Sequence, residues 1–445
     1  MDATGSKASV AINLHRFVNE TSASSSLLLD GTDTMLFQGT CKFFRSPANF
    51  EPDVELSLPE LAALDACYQK ATFKSMKHEE REKLKQQCGG SWKLVLGYLL
   101  VGEKNYRREK SQVVAGPGHS IATKGDVYSF GSNSSGQLGL GNTEDQFKPS
   151  LIRSLQGIRI TQAAVGSRKT MLVSDTGSVY RFGQDAFGGM KSSGTYTSSP
   201  KLVESLKDIF VVQASIGGYF SAVLSREGQV YTFSWGRNER LGHHSDLTDV
   251  EPRVLSGPLE NALVVQIAAG SCYLLMLAYK PTGISGTRWK CAQLTWGWKN
   301  YGCLGVGHID CKTLPVEVEG LKDVKARHLS AGSYTTFVVA DNGDVYSFGL
   351  GHSLNLGLQG VEAANVWSPK LATSIVALNQ KVVQISATNT WGPINGHSGR
   401  SHTLALTESG RVYSFGAGAK GQLGVKLVEG QERRATPERV EIDLA

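Results

Sequence analysis

The chain has 445 residues, with 46 basic and 40 acidic side chains, 50 Gly, 13 Pro and 7 Cys. Hydrophobic residues make up 40% and charged residues 19%, which is typical of a globular protein and argues against a disordered chain. The net charge of +6 is too dilute to indicate direct sequence-specific nucleic-acid binding, and the cysteines form no C-x-x-C pair that would favour a disulfide framework or a zinc ribbon.

The first 112 residues show no repeat and fall into two parts. Residues 1–35 are rich in Ser, Thr and Ala, and we expect a flexible N-terminus without a secretory signal. Residues 36–112 are expected to form a helical segment. Ser57-Leu-Pro-Glu60 has the residues of a helix N-cap with Glu at the third position, and His78–Gln87 and Trp92–Tyr106 are typical of a charged and an amphipathic helix.

Upstream of these helices, Leu36-x-x-x-x-Cys41-x-Phe-Phe44 resembles the tail of an F-box. The resemblance implies a degenerate adaptor bundle, and with it the role of a substrate adaptor for a ubiquitin ligase. The longest apolar run, around Leu94–Val101, is far shorter than the roughly 20 residues that cross a bilayer. We therefore expect no membrane association, and a location in the nucleus, the cytoplasm or both.

One phrase recurs six times between residue 113 and the C-terminus. It is Gly-x-Val-Tyr-x-Phe-Gly, complete in four copies at Gly125–Gly131, Gly177–Gly183, Gly343–Gly349 and Gly410–Gly416. In five of the six copies a Leu-Gly pair ends nine residues after the last aromatic residue of the phrase, which we call the anchor. The anchors are Phe130, Phe182, Phe233, Trp296, Phe348 and Phe415.

The repeat is typical of β structure. Val-Tyr-x-Phe alternates and is rich in β-branched and aromatic residues, and the many glycines fit many tight turns. Four strands of about five residues with their turns fill about 45–50 residues, which is one propeller blade. The sequence therefore predicts a mainly β fold, a β-propeller over residues 113–445 with a small N-terminal α-helical segment.

The phrase Gly-x-Val-Tyr-x-Phe/Trp-Gly-x-Asn-x-x-Gly-Gln-Leu-Gly resembles the regulator of chromosome condensation repeat, and Gly125–Gly141 and Gly410–Gly424 follow it almost throughout. The resemblance covers about three quarters of the chain (333/445) and is greatest to the plant members called ultraviolet-B-receptor-like. It implies a β-propeller that binds other proteins. Members usually have seven blades, whereas six copies are counted here.

The missing copy has a candidate location. Between Leu277 and the anchor Trp296 lie 18 residues, and the segment Tyr279–Gln293 matches no repeat phrase. The segment predicts either one long hairpin turn or a place where a whole blade has been lost. We favour the loss, because Ala292 stands where the Gly before the strand is expected.

No residue pattern predicts catalysis or cofactor binding. Gly416–Gly421 fits G-x-G-x-x-G but lies in a repeat turn, and no G-x-x-x-x-G-K-[ST] exists. Neither His243-His244 nor the set Cys303, His308 and Cys311 has a complete metal-ligand spacing. We therefore expect a protein that is not an enzyme and that uses no cofactor and no metal.

The turns between each anchor and its Leu-Gly are equivalent, so they are predicted to lie on one rim of the ring. Arg and Trp in these turns are residue types enriched at interface hot spots. The basic members at 237, 240, 299 and 420 favour an acidic protein partner. The candidate partner-binding residues are Trp235, Arg237, Arg240, Trp298, Lys299, His352 and Lys420, with Asn133 in the first copy.

The resemblance leaves several functions open. We favour a non-enzymatic protein-interaction propeller, nuclear and linked to chromatin, histones or a Ran-type small GTPase. The alternatives are guanine-nucleotide exchange on Ran, the ubiquitin-ligase adaptor, and an ultraviolet-B-sensing homodimer. The recurring Gly-Trp-Arg-His-Thr of the photoreceptor is absent, because Gly332–Thr336 and Gly399–Thr403 lack the Trp.

Overall fold

The structure, a computed structural model, falls into two compact units. One comprises Met1–Lys104, Asn261–Leu263 and Tyr279–Lys290, and the other comprises Asn105–Glu260, Val264–Ala278 and Cys291–Ala445. The expected flexible N-terminus (1–35) and the F-box-like phrase lie outside the described residues. The structure describes residues 47–49, 55–106, 112–184, 196–234, 241–243, 249–255, 259, 262–282, 288–297, 300–308, 312–360, 364–388, 401–419 and 421–441.

Among the described residues, the first unit contains a two-stranded sheet and four helices, with Phe73, Leu84 and Trp92 in its core. The rings of Phe73 and Trp92 meet edge to face, with centroids 5.9 Å apart. The helices predicted at His78–Gln87 and Trp92–Tyr106 are confirmed. The elements are β1 (Pro47–Asn49), β2 (Glu55–Ser57), α1 (Leu58–Tyr68), α2 (Ala71–Lys74), α3 (His78–Gln87) and α4 (Trp92–Tyr106).

Glu60 differs from its predicted role. The N-cap of α1 is Ser57, but its side chain makes no capping hydrogen bond. The Glu60 carboxylate instead accepts hydrogen bonds from Ser91 Oγ (2.8 Å) and from the backbone N–H of Trp92 (2.5 Å). A carboxylate is stabilised at a helix N-terminus by free N–H groups and the helix dipole, so Glu60 joins α1 to the start of α4.

The remaining strands form six four-stranded sheets, each built from four strands that are consecutive in sequence, which we number blades 1 to 6. Blade 1 contains β3–β6 (Gln112–Ala115, His119–Lys124, Asp126–Gly131, Gln146–Leu151). Blade 2 contains β7–β10 (Ile160–Val165, Lys169–Ser174, Val179–Gln184, Tyr196–Leu202). Blade 3 contains β11–β14 (Val211–Ile216, Phe220–Ser225, Val230–Ser234, Asp249–Val254).

The other three blades follow the same plan, and the predicted mainly β, six-bladed propeller is confirmed. Blade 4 contains β15–β18 (Leu263–Ala269, Tyr273–Thr282, Arg288–Gly297, Lys312–Glu317). Blade 5 contains β19–β22 (Ala326–Ala331, Thr335–Ala340, Val345–Leu350, Asn365–Leu371). Blade 6 contains β23–β26 (Val382–Ala387, His402–Thr407, Val412–Ala417, Arg433–Val440), and the short helix α5 is Thr373–Val376.

The segment Tyr279–Gln293 lies within one blade. Strands β16 and β17 have 10 residues each and are neighbours in the complete four-stranded sheet of blade 4. The equivalent strands β8 and β9 have six residues each. The extra residues therefore lengthen one hairpin, and our preference for a lost blade at this place is corrected, because the insertion leaves the strand count of the blade unchanged.

Consecutive blades pack through apolar faces. We call the side of a blade toward the next blade its forward face and the opposite side its back face. Ile121 and Val127 on the forward face of blade 1 pack with Leu172 and Phe182 on the back face of blade 2. The Leu-Gly glycines allow this approach: Gly305 has φ +70°, and a Cβ on it would lie 2.6 Å from the ring of the next anchor, Phe348.

A polar side chain at one position of the innermost strand joins blade 2 to 3, 3 to 4, 4 to 5 and 5 to 6. Gln162 Nε2 donates to the carbonyl of Ala214 (3.1 Å), and Gln162 Oε1 accepts from the N–H of Ala214 (2.9 Å). Gln213 and Gln266 make the same pair of bonds with the following blade, and His328 Nε2 donates to the carbonyl of Ile385 at 3.0 Å. These side chains satisfy backbone groups on the edge strand of the next sheet.

Candidate interaction face

Two sets of loops lie at the same end of each blade, because alternate connections of an antiparallel sheet share an end. The first set joins the first and second strands, and the second set joins the third and fourth strands and contains the Leu-Gly pair. A cavity of about 370 Å³ in blades 1 to 3 is lined by both sets, including Gly118, Arg168 and Tyr219 from the first and Ser134 and Gln137 from the second. We call this end of the blades the loop face.

A buried lysine side chain lines the cavity. This residue, Lys169, is only 9% exposed, and its Nζ lies 3.3 Å from Ser221 Oγ and 3.2 Å from Ser234 Oγ. The ammonium group also lies 5.7 Å from the centre of the Phe233 ring, within cation–π distance. Arg168 is next to it and exposed. This part of the loop face is therefore positively charged and rich in hydroxyl groups.

The first residue of the second strand joins the loops of neighbouring blades. His119 Nε2 lies 2.7 Å from Thr170 Oγ1, and Thr170 donates to the carbonyl of Gln137 at 2.8 Å. Because the only hydroxyl proton of Thr170 is used in that bond, His119 Nε2 is the donor. Burial lowers the pKa of His119 to about 4, so the ring is neutral at neutral pH.

Tyr273 takes the same role between blades 4 and 5. Its hydroxyl donates to the carbonyl of Thr335 at 2.7 Å and lies 2.9 Å from Thr336 Oγ1. Thr336 in turn donates to the carbonyl of Cys303 at 2.8 Å, as Thr170 does to Gln137. Cys303 thus occupies the structural position of Gln in Gln-Leu-Gly, and these bonds hold the loop face in one arrangement.

Tyrosines lie beside the positive region on the loop face. Tyr219 lines the cavity, and Tyr301 and Tyr334 meet edge to face with ring centroids 5.2 Å apart. Burial, with a smaller contribution from nearby Cys272, raises the pKa of Tyr334 to about 12, so its phenol stays protonated and can donate a hydrogen bond. All three rings are half-buried, which leaves part of each available to a partner.

The structure describes one of the seven predicted partner-binding residues. His352 is exposed in the turn after the anchor of blade 5, and its carbonyl accepts a hydrogen bond from Arg433 Nη1 at 2.7 Å. Asn133 is not a surface residue: it is fully buried and its amide donates to the carbonyls of Asn142 and Glu144, which shapes the turn. The six that lie outside the described residues are Trp235, Arg237, Arg240, Trp298, Lys299 and Lys420.

Sequence reasoning missed Arg168, Tyr219 and Tyr334, because it considered only the turns after the anchors. A signal for them was present. Each lies two residues after the glycine that directly follows an innermost strand, namely Gly166, Gly217 and Gly332. Equal offsets in a repeat place side chains at equivalent positions, so the first loop set could have been included in the predicted rim.

Metal-ligating side chains and thiols are the other chemical groups of interest in the described part of the chain. No three His, Cys, Asp or Glu side chains there are grouped so that they could hold a metal ion. His243 Nε2 lies 2.9 Å from Thr232 Oγ1, and the described cysteines Cys67, Cys88, Cys272, Cys291 and Cys303 are not in disulfides. No helix among the described residues is long and apolar enough to cross a membrane.

Comparison with known proteins agrees with this geometry. Models of the regulator of chromosome condensation (RCC1) repeat match residues 124–173, 294–339 and 398–422. The chain belongs to the RCC1 repeat family. The ultraviolet-B receptor UVR8 of Arabidopsis thaliana is 31% identical over 70% of this chain and 66% of the receptor. The regulator of chromosome condensation of Xenopus laevis is 28% identical over 76% of this chain and 77% of its own length.

Some relatives are much longer than the propeller. The human E3 ubiquitin-protein ligase HERC2 is 29% identical over 68% of this chain, but the match spans only 6% of the ligase. Two solved structures share the fold. Prp20p of Saccharomyces cerevisiae has a TM-score of 0.62 at 20% identity, covering 75% of this chain and 77% of Prp20p. Human WBSCR16 has a TM-score of 0.60 at 21% identity, covering 76% of this chain and 84% of its own.

Proposed function

We propose that this RCC1-type propeller is a non-enzymatic protein-binding module, and that its loop face binds an acidic surface of a partner protein. The observation that carries the proposal is the placement of Arg168 and Lys169 beside Tyr219, on loops whose ends are joined from blade to blade. Arginine and tyrosine are enriched among the residues that contribute most to binding at protein interfaces.

The rigidity of these loops supports the same proposal. The loops begin and end on hydrogen-bonded strands, and His119, Lys169 and Tyr273 connect them across blade boundaries. A surface that is already ordered loses little conformational entropy when a partner binds. Its positive charge speeds association with an acidic partner and makes binding sensitive to salt.

The first partners to test are a Ran-type GTPase and histones. The solved structure of Prp20p is described together with its binding to Gsp1p and histones, and the Xenopus relative is named for chromosome condensation. We propose a nuclear, chromatin-linked role for this chain on that basis. Stimulated nucleotide release from the GTPase would identify it further as an exchange factor.

The test compares three variants in binding assays with purified Ran-type GTPase and with purified histones. Arg168→Glu reverses a charge on the loop face, and Tyr334→Ala removes an aromatic contact. Arg411→Glu makes the same charge change at an exposed residue in the turn between β24 and β25, at the opposite end of the blades. We expect Arg168→Glu to weaken binding of the Ran-type GTPase at least tenfold and to flatten its salt dependence, with Arg411→Glu unchanged. Histones are basic overall, so their binding should depend on Arg168 only where they present an acidic surface. Equal binding by Arg168→Glu and Arg411→Glu at each salt concentration would refute the loop face as the site.

The predicted residues outside the described part of the chain are included in the proposal. Arg237, Arg240, Lys299 and Lys420 would extend the positive region around the loop face. The triple variant Arg237→Glu, Arg240→Glu and Lys299→Glu should fold normally and lose partner binding. If the triple variant binds the partner as the wild type does and Arg168→Glu does not, the binding site is confined to blades 1 and 2 and the first loop set.

A further inference from the structure

The two end blades each leave one face partly uncovered. In β8, β12 and β20 of blades 2, 3 and 5, all six residues are buried. In blade 1, the back-face residues Ser120 and Ala122 are half-buried, although the forward-face Ile121 is buried. In blade 6 the order is reversed: the forward-face residues Leu404 and Leu406 are half-buried and alternate with buried back-face residues.

The innermost strand of blade 6 also has an uncovered forward face, because the side chains that join one blade to the next are exposed there. Gln384 and Ser386 of blade 6 are exposed. The equivalent Gln213 makes two hydrogen bonds to the next blade, and the equivalent Ser330 accepts one from the N–H of Ala387 at 3.1 Å. Blade 6 therefore presents the groups that elsewhere hold the edge strand of a following blade.

The anchors and the Leu-Gly pairs also indicate that blades 1 and 6 each have one partly uncovered face. Phe130 of blade 1 is half-buried, whereas the other five anchors are fully buried. A Cβ on Gly305 would meet Phe348 of the next blade, whereas among the described residues a Cβ on Gly424 of blade 6 would meet only Val440 of its own blade within 4 Å. Each sheet has four consecutive strands, so no described sheet pairs a strand from one end of the blade series with a strand from the other.

We propose that the forward face of blade 6 binds the back face of blade 1 in a second copy of this chain. At each interior boundary a forward face fits the back face of the following blade, and a second copy supplies the same kind of back face. Ser120 takes the position of Thr170 and is placed to bond His402, as Thr170 bonds His119. Phe130 takes the position of Phe348, to pack over Gly424 as Phe348 packs over Gly305.

The contact recognises backbone as well as side chains. Gln384 of blade 6 corresponds to Gln213 of blade 3. The Gln213 amide bonds the N–H and C=O of Ile267 in blade 4, and Ile267 directly follows the equivalent glutamine, Gln266. In blade 1 the residue equivalent to Ile267 is Val113, which follows Gln112 in β3. Because forward and back faces differ, the contact is head-to-tail, and association either closes into a ring of copies or continues.

The test uses two variants that each destroy one face. Leu404→Glu places a charge on the forward face of blade 6, and Ala122→Glu places one on the back face of blade 1. In sedimentation-velocity experiments over a wide concentration range, the wild type should self-associate, and each variant alone should stay monomeric. An equimolar mixture should form a one-to-one dimer and nothing larger, because the mixture contains one intact forward and one intact back face.

Two controls keep the result interpretable. Phe147→Glu changes an outer-strand residue of blade 1 that is 97% exposed, and it should leave self-association unchanged. Gln384→Ala removes an exposed side chain, so it should preserve the thermal midpoint of the monomer while weakening self-association several-fold. If circular dichroism shows that Leu404→Glu or Ala122→Glu is unfolded, the self-association of Gln384→Ala tests the proposal in its place.

Several outcomes would overturn the proposal. A wild type that is monomeric at all concentrations would show that the ring closes on itself or that another protein covers the end faces. Association that persists in Leu404→Glu, or a mixture that forms no dimer, would place the contact elsewhere. The proposed binding at the loop face is independent, because Arg168→Glu should self-associate normally and Leu404→Glu should still bind the acidic partner.

Discussion

Blades 2 to 5 and blades 1 and 6 are built from the same repeat phrase but differ in what surrounds them. In blades 2 and 5 the second strand is buried on both faces, and in blade 6 it is buried on only one. The anchors Phe348 and Phe130 have equivalent positions, yet the first is fully buried and the second half-buried. Burial in this fold is therefore a property of a pair of neighbouring blades rather than of one repeat.

The largest expected difference between the two regions concerns the anchors. Phe348→Ala should lower the free energy of unfolding by about 3–5 kcal/mol, because it leaves a cavity between two blades. Phe130→Ala should cost about half as much, because part of its ring is already in water. Denaturant unfolding followed by fluorescence measures both values. Equal losses would show that blade 1 has a covered back face in solution, as it would in a self-closed ring or a stable oligomer.

The next effect depends on pH and concerns the boundary between blades 1 and 2. The pKa of His119 is about 4 in the folded protein, below its usual value of about 6.5, because burial disfavours the charged ring. The unfolded chain therefore binds the extra proton first as the pH falls. The stabilisation is complete above pH about 6.5 and is lost progressively down to about pH 4, with a loss of about 2 kcal/mol by pH 5.

His119→Phe tests this prediction, and blade 3 supplies the precedent because Phe220 occupies the same position. The variant should be less stable than the wild type at pH 7.5, where the bond to Thr170 is lost. Its unfolding free energy should fall less steeply between pH 6.5 and 4. Parallel pH profiles for the variant and the wild type would show that His119 does not titrate differently on folding.

The fold could be predicted from the sequence because the repeat phrase recurs with fixed spacing, and strand period and turn glycines do not depend on distant contacts. The helices at His78–Gln87 and Trp92–Tyr106 were predicted for the same reason. The role of Glu60 was not, because its partners Ser91 and Trp92 are about 30 residues away in sequence and are brought close only by packing.

The candidate site could be predicted only in part. Equivalence of the turns predicted a shared rim, but Asn133 was placed on it although the turn needs its amide inside. A sequence motif gives no direction for a side chain in a tight turn. Likewise, the long segment before Trp296 favoured a lost blade, because spacing alone cannot distinguish a lengthened hairpin from a missing sheet.

A smaller effect is expected for the blade-joining amides. Gln213→Ala should lower the free energy of unfolding by about 1–2 kcal/mol, because it leaves the N–H and C=O of Ile267 without their side-chain partner. Gln384→Ala should change it by less than about 0.5 kcal/mol at concentrations where the chain is monomeric, because the side chain is exposed. Thermal unfolding of dilute samples compares them. A matching loss for Gln384→Ala would mean that this residue also holds a following blade.

The smallest expected effect is that of light. Trp296 is fully buried as the anchor of blade 4, and a Cβ on Gly242 of the preceding blade would lie 2.9 Å from its indole nitrogen. A tryptophan packed between two blades cannot line an interface between copies. We therefore expect ultraviolet-B illumination to leave the sedimentation profile unchanged, both in dilute samples and at concentrations where the end faces of blades 1 and 6 bring copies together. The matched sample is the same protein kept in the dark. Dissociation on illumination would instead favour a light-sensing interface at Trp235 and Trp298, two of the tryptophans outside the described residues, whose places after the anchors in the sequence predict the loop face.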